Sequence, residues 1–64
     1  MKSISSRTIT SMLESSGYYL VNTVGSHRQY KHPLKSGRVT VPHPVKDLPK
    51  KTVKSIEKQA GIRF

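Results

Sequence analysis

The sequence predicts an α+β fold with element order α-β-β-β-α: a two-layer sandwich in which a three-stranded antiparallel sheet carries both helices on one face. Three observations predict it. Apolar residues recur at helical spacing near both ends of the chain, at Ile9, Met12 and Leu13 and again at Val53, Ile56 and Ala60. Three short runs between them are rich in aromatic and β-branched residues and are separated by Gly, Ser and Pro. The 64 residues make room for a single domain, 1–64, and for short connections only.

Taken in order, the first helix is expected from about Ser5 to Ser16, with Ser5 or Ser6 as N-cap and Gly17 as the stop. Tyr18 to Val24 reads as a strand. Gly25-Ser26 makes a tight hairpin connection into a second strand, His27 to about His32. Alternation places Arg28, Tyr30 and His32 on one face of that strand and His27, Gln29 and Lys31 on the other. Tyr30 is the one large apolar body there, so its face is the core face and His27 looks out from the open one. Pro33 is expected to end this strand, Leu34-Lys35-Ser36-Gly37 to form a turn, and Arg38-Val39-Thr40-Val41 to form the third strand, Val39 and Val41 inward. After the stiff Pro42-His43-Pro44 connector, Asp47 is expected near the cap of the second helix, with Pro49 in its first turn. That helix runs to about Ala60, and Gly61 stops it. The layout is that of a double-stranded-RNA-binding domain.

Composition narrows the partners. Twelve Lys and Arg against three acids leave a net charge of +9. On so short a chain this charge costs self-repulsion and creates a strong field for anions, with nucleic acid the foremost. A domain of this size buries only about 60% of its unfolded surface, so a substrate is expected on an open face rather than in a deep pocket. The absence of cysteine excludes a disulfide scaffold, a thiolate nucleophile and Cys-ligated zinc. Met1 to Arg7 holds no apolar run of signal-peptide type, and no segment is long and apolar enough to span a bilayer. A soluble cytoplasmic protein is the expectation, with no membrane partner.

The candidate site is Gly25 to Pro33, where two histidines and two permanent cations occur without an acid. His27 is the candidate catalytic residue, with Ser26 and His43 as possible accessories. His43, between two prolines, reads either as a rigid structural contact or as a second proton-transfer group. His32 reads as a polar strand-end residue. Two basic groups could track an RNA backbone: Arg28, Lys31, Lys35 and Arg38 around the hairpins, and Lys46, Lys50, Lys51 and Lys54 around the start of the second helix. No metal and no cofactor are expected. The acids Glu14, Asp47 and Glu57 are scattered, and the histidines have no carboxylate among them in a ligand pattern.

The motifs together resemble the HicA-type, YcfA-like mRNA interferase toxins. Met12-Leu13-Glu14 with Gly17-Tyr18, Gly25-Ser26-His27 with Tyr30, Arg38-Val39-Thr40-Val41-Pro42-His43, and Lys58-Gln59-Ala60-Gly61 carry the resemblance over about residues 3 to 62. It implies a double-stranded-RNA-binding-like fold, cleavage of single-stranded mRNA in a bacterial cytoplasm, a catalytic histidine at His27, and a HicB-type antitoxin that covers it. Tyr18 and Tyr30 stand where the family often has Trp and Phe, and Lys51 where Gly is common. RNA supplies its own nucleophile, the 2′-hydroxyl. An imidazole, which ordinarily titrates near about pH 6.5, suits removal of that proton while cations steady the phosphate. A non-catalytic RNA-binding module of the same fold, or a basic interaction protein for an acidic partner, are the alternatives.

Overall fold

The computed structural model describes residues 4–64, so the reading of the chain start falls partly on Met1–Ser3, outside the described residues. The expected architecture is present: α1 (Ser6–Ser15), β1 (Tyr19–Val24), β2 (His27–His32), β3 (Lys35–Pro42) and α2 (Lys50–Ala60). The sheet is antiparallel with strand order β1-β2-β3. Its core is Ile9 and Leu13 of α1, Tyr18, Tyr30 of β2, Val39 and Val41 of β3, Leu48, and Ile56 and Ala60 of α2. The helices lie against β3, and among the described residues neither packs substantially against β1. Among those residues, no helix is long and apolar enough to cross a membrane.

Each helix stops for a local reason. Ser5 is the N-cap of α1, and its Oγ accepts from the Thr8 N–H at 3.2 Å. At the far end Gly17 takes φ +97°, and the Tyr18 N–H turns back to Leu13 O. In α2, Gly61 at φ +70° lets its N–H reach Glu57 O at 2.8 Å.

Three expectations are corrected. The β2–β3 turn is Pro33-Leu34, and β3 already begins at Lys35. Ser36-Gly37 is an irregularity within β3, not the turn. Tyr30 pairs with Val39 and His32 with Lys35, so β3 carries surplus residues there. Gly37 absorbs the bulge with φ +86°. Asp47 does not cap α2, whose N-cap is Pro49 without a side-chain cap. Met12 is half-buried and stands outside the core cluster.

His32 joins the end of α1 to the turn of the second hairpin. Its Nε2 lies 3.0 Å from Ser16 O, its Nδ1 accepts from the Leu34 N–H at 3.0 Å, and its ring meets Tyr18 edge-on at 5.0 Å. A Cβ on Gly17 would fall 2.8 Å from the His32 Nε2, in a ring already held on both sides. Gly17→Ala is therefore expected to lower stability by more than about 1 kcal/mol. Gly25→Asn, at a left-handed turn with nothing within 4 Å of a Cβ, should stay within about 0.5 kcal/mol of wild type. Urea unfolding of the two variants checks the contrast.

Candidate functional site

His27 opens β2 directly after the Gly25-Ser26 turn, where Gly25 takes φ +57°. It pairs with Val24 on one side and Pro42 on the other. Tyr30, fully buried beneath the sheet, sets the alternation. His27 is exposed, and it lies on the face that the helices leave uncovered. The next row of that face is Asn22, Gln29 and Thr40, and beyond it lies Lys31 opposite Tyr19. Arg38 joins the same surface, because its Nη1 donates to Gln29 Oε1 at 2.7 Å. The structure thus brings His27, Gln29, Arg38 and Lys31 onto one solvent-facing surface, and none of the three acids is on the sheet.

Other predicted site residues go elsewhere. Arg28 stands opposite buried Val41, at a register position on the helix-side face and away from His27. Lys35 has an intramolecular partner: its Nζ donates to Ala60 O at 3.1 Å and lies 5.8 Å from the Tyr18 ring centre. The Tyr18 hydroxyl donates to the same carbonyl at 2.9 Å. Two donors, one of them cationic, so complete the C-terminal end of α2. Lys50, Lys51 and Lys54 are exposed on α2, in the helix layer, and Lys46 is exposed in the connector ahead of it.

His43 makes a tertiary contact with α1. Its Nδ1 lies 2.8 Å from Ser6 Oγ, on α1, so the ring faces the helix layer rather than the His27 face. Its backbone N–H donates to Ser26 O at 2.6 Å and extends the β2–β3 ladder to the turn that carries His27. Ser26 thus contributes a main-chain acceptor next to the candidate base. Ser6 is the residue that sequence reasoning missed. It is 1% exposed, and besides His43 its Oγ receives the Val45 N–H at 2.8 Å and donates to Val45 O at 3.2 Å. With Ser6 N–H on Val45 O and Leu48 N–H on Ile4 O, it seats the connector against the start of α1. Nothing in the sequence separates Ser6 from its neighbour Ser5, since both suit an N-cap. Gln29 lies on the open face, as alternation along β2 predicts, but its hold on Arg38 is a tertiary contact with no local signal.

A family model described as the HicA toxin of bacterial toxin-antitoxin matches residues 6–62, which includes every element of the fold. No curated protein matches the chain.

Ser6→Ala would strand the Val45 N–H and the His43 ring nitrogen in a half-buried setting. It should cost about 1–3 kcal/mol, read as a lower urea midpoint at unchanged slope. A midpoint equal to wild type would show that the connector is held without this hydroxyl.

Proposed function

We propose, since this chain belongs to the HicA toxin family, that it is a metal-independent endoribonuclease of mRNA with His27 as general base, restrained by a HicB-type protein antitoxin. The observation that carries the reading is His27 itself. It is an exposed imidazole on the uncovered face of the sheet, with Arg38 and Lys31 farther along that face and none of the three acids on the sheet.

A single strand laid along this face presents a ribose to His27 and its phosphates to Arg38 and Lys31. His27 takes the proton from the 2′-hydroxyl, and the oxygen attacks the adjacent phosphorus. Charge gathers on the phosphoryl oxygens, where the guanidinium of Arg38, oriented by Gln29, steadies it. The bond from phosphorus to the 5′-oxygen breaks as that oxygen is protonated. The products are a 2′,3′-cyclic phosphate and a 5′-hydroxyl. Support for a route without metal comes from the donor set, since Glu14 sits on α1, Asp47 in the connector and Glu57 on α2. His43 serves as a support for the His27 turn, and Lys50, Lys51 and Lys54 add to the field that attracts the polyanion.

The test is cleavage of a labelled single-stranded RNA by wild type and His27→Ala. The variant should fold and bind RNA, because the ring is exposed, yet cleave about 10² to 10⁴ times more slowly. EDTA should leave the wild-type rate unchanged. Binding by either protein should weaken with salt, with a log–log slope of about −0.7 per phosphate neutralised. Equal cleavage by the two proteins would remove His27 from the chemistry.

A further inference from the structure

We propose that the outer edge of β1 is a docking edge, onto which an extended segment of an acidic partner protein adds as a fourth strand. The inference rests on the reading above that a protein antitoxin restrains the chain, and it says where that partner takes hold.

The two edges of the sheet are built differently. The β3 edge is covered: α2 packs against this strand, the Thr40 N–H is taken by Gln59 Oε1 at 3.0 Å, and the strand carries Lys35, Arg38, a bulge and Pro42. These are the devices that discourage pairing at an edge. β1 has no charged residue and no proline, and its devices of this kind are a bulge between Leu20 and Asn22 and the Asn22 Oδ1, which takes the Thr23 N–H at 3.0 Å. All six of its side chains are exposed, and among the described residues neither helix packs substantially beneath it. Tyr19, Leu20, Val21 and Val24 stand 48%, 45%, 38% and 58% exposed. Among the described residues the strand has no neighbour on its outer side; apart from the Thr23 N–H it offers backbone groups along that side and apolar area on both faces, which is what strand addition uses.

Charge selects the occupant. Across the ladder from β1 stand Arg28, opposite Thr23, and Lys31, opposite Tyr19, with no acid on the sheet. A strand added beside β1 lies two strand spacings from β2, about 10 Å. Long acidic side chains on it can meet those cations. A second copy of this chain would instead bring +9 against +9, which opposes pairing. Val24, at the end of β1, is the ladder neighbour of His27, so a partner anchored there stands at the border of the uncovered face. Docking on β1 and exclusion of RNA from His27 then follow from one contact.

The experiment uses the full-length toxin and, as probe, the full-length antitoxin encoded with it. Backbone amides of Tyr19–Val24 should exchange with deuterium at least about tenfold more slowly in the complex than in the free toxin. Leu20→Ser with Val21→Ser, which leaves the charge unchanged, should raise the Kd for the antitoxin at least about tenfold. Cleavage of RNA by the free variant should match wild type. An unprotected β1 in the complex, or wild-type affinity in the folded variant, overturns the docking edge and leaves the ribonuclease reading standing. Failure of the wild-type toxin to bind the antitoxin overturns the docking edge too. A free toxin that sediments as a dimer, and loses the dimer in the variant, assigns the edge to a second copy and also overturns it. Absence of RNA cleavage by wild type, with β1 protected in the complex, sinks the ribonuclease reading alone. Should the double variant fail to fold, amide exchange on the wild-type complex decides.

Discussion

A small apolar core governs this molecule. Among the described residues, nine buried apolar side chains are enough to cover one face of a sheet, and they gather where Tyr30, Val39 and Val41 meet Ile9, Leu13 and Ile56. Helices drawn to that cluster cannot also cover the other face, nor extend beneath β1. The two surfaces with functional promise, the His27 face and the β1 edge, are both what this limited burial leaves over. Exposure of His27 is thus a consequence of core placement rather than of any special local device.

With so little apolar burial, polar contacts fasten the layers at both ends of the sheet. At one end the hairpin turn after β2 reaches both helices, through His32 to Ser16 O and Lys35 to Ala60 O. At the other end Ser6 binds His43 and Val45, and His43 binds the backbone of Ser26. Among the described residues no buried side-chain polar atom lacks a partner, as a marginal domain requires. The second fastening acts on the residue before His27. In the proposed reaction a general base at that place needs its backbone fixed while its ring stays free to meet substrate.

Much of this was legible in the residues. Helical spacing marked both helices, and the single bulky residue of β2 sufficed to assign its two faces and so to place His27 outside. What escaped has identifiable causes. Ser36-Gly37 carries turn chemistry, yet Pro33-Leu34 closes the hairpin and Gly37 instead serves a bulge, because strand pairing from Lys35 overrides the local preference. Asp47 suits a cap, but α2 begins only after Pro49. Lys35 reads in sequence as one of the cations that could track an RNA backbone, and only the return of α2 to the hairpin gives it a carbonyl. Arg28 sits beside His27 in sequence and across the sheet from it in space, since neighbours on a strand point oppositely. Contacts between residues more than 30 positions apart, such as Ser6 with His43, leave no local trace.

The amide of Gln59 is chemically a peptide group on a tether, and at Thr40 it imitates one unit of a neighbouring strand. α2 thereby closes that margin of the sheet with a side chain instead of a chain segment. When two copies of such a sheet pair through the one open margin that each has, pairing ends at two, because neither has a second margin to offer. Growth into open-ended filaments needs two complementary sticky sides, and this molecule supplies one. Strand-edge pairing therefore has no way to propagate from copy to copy of this chain.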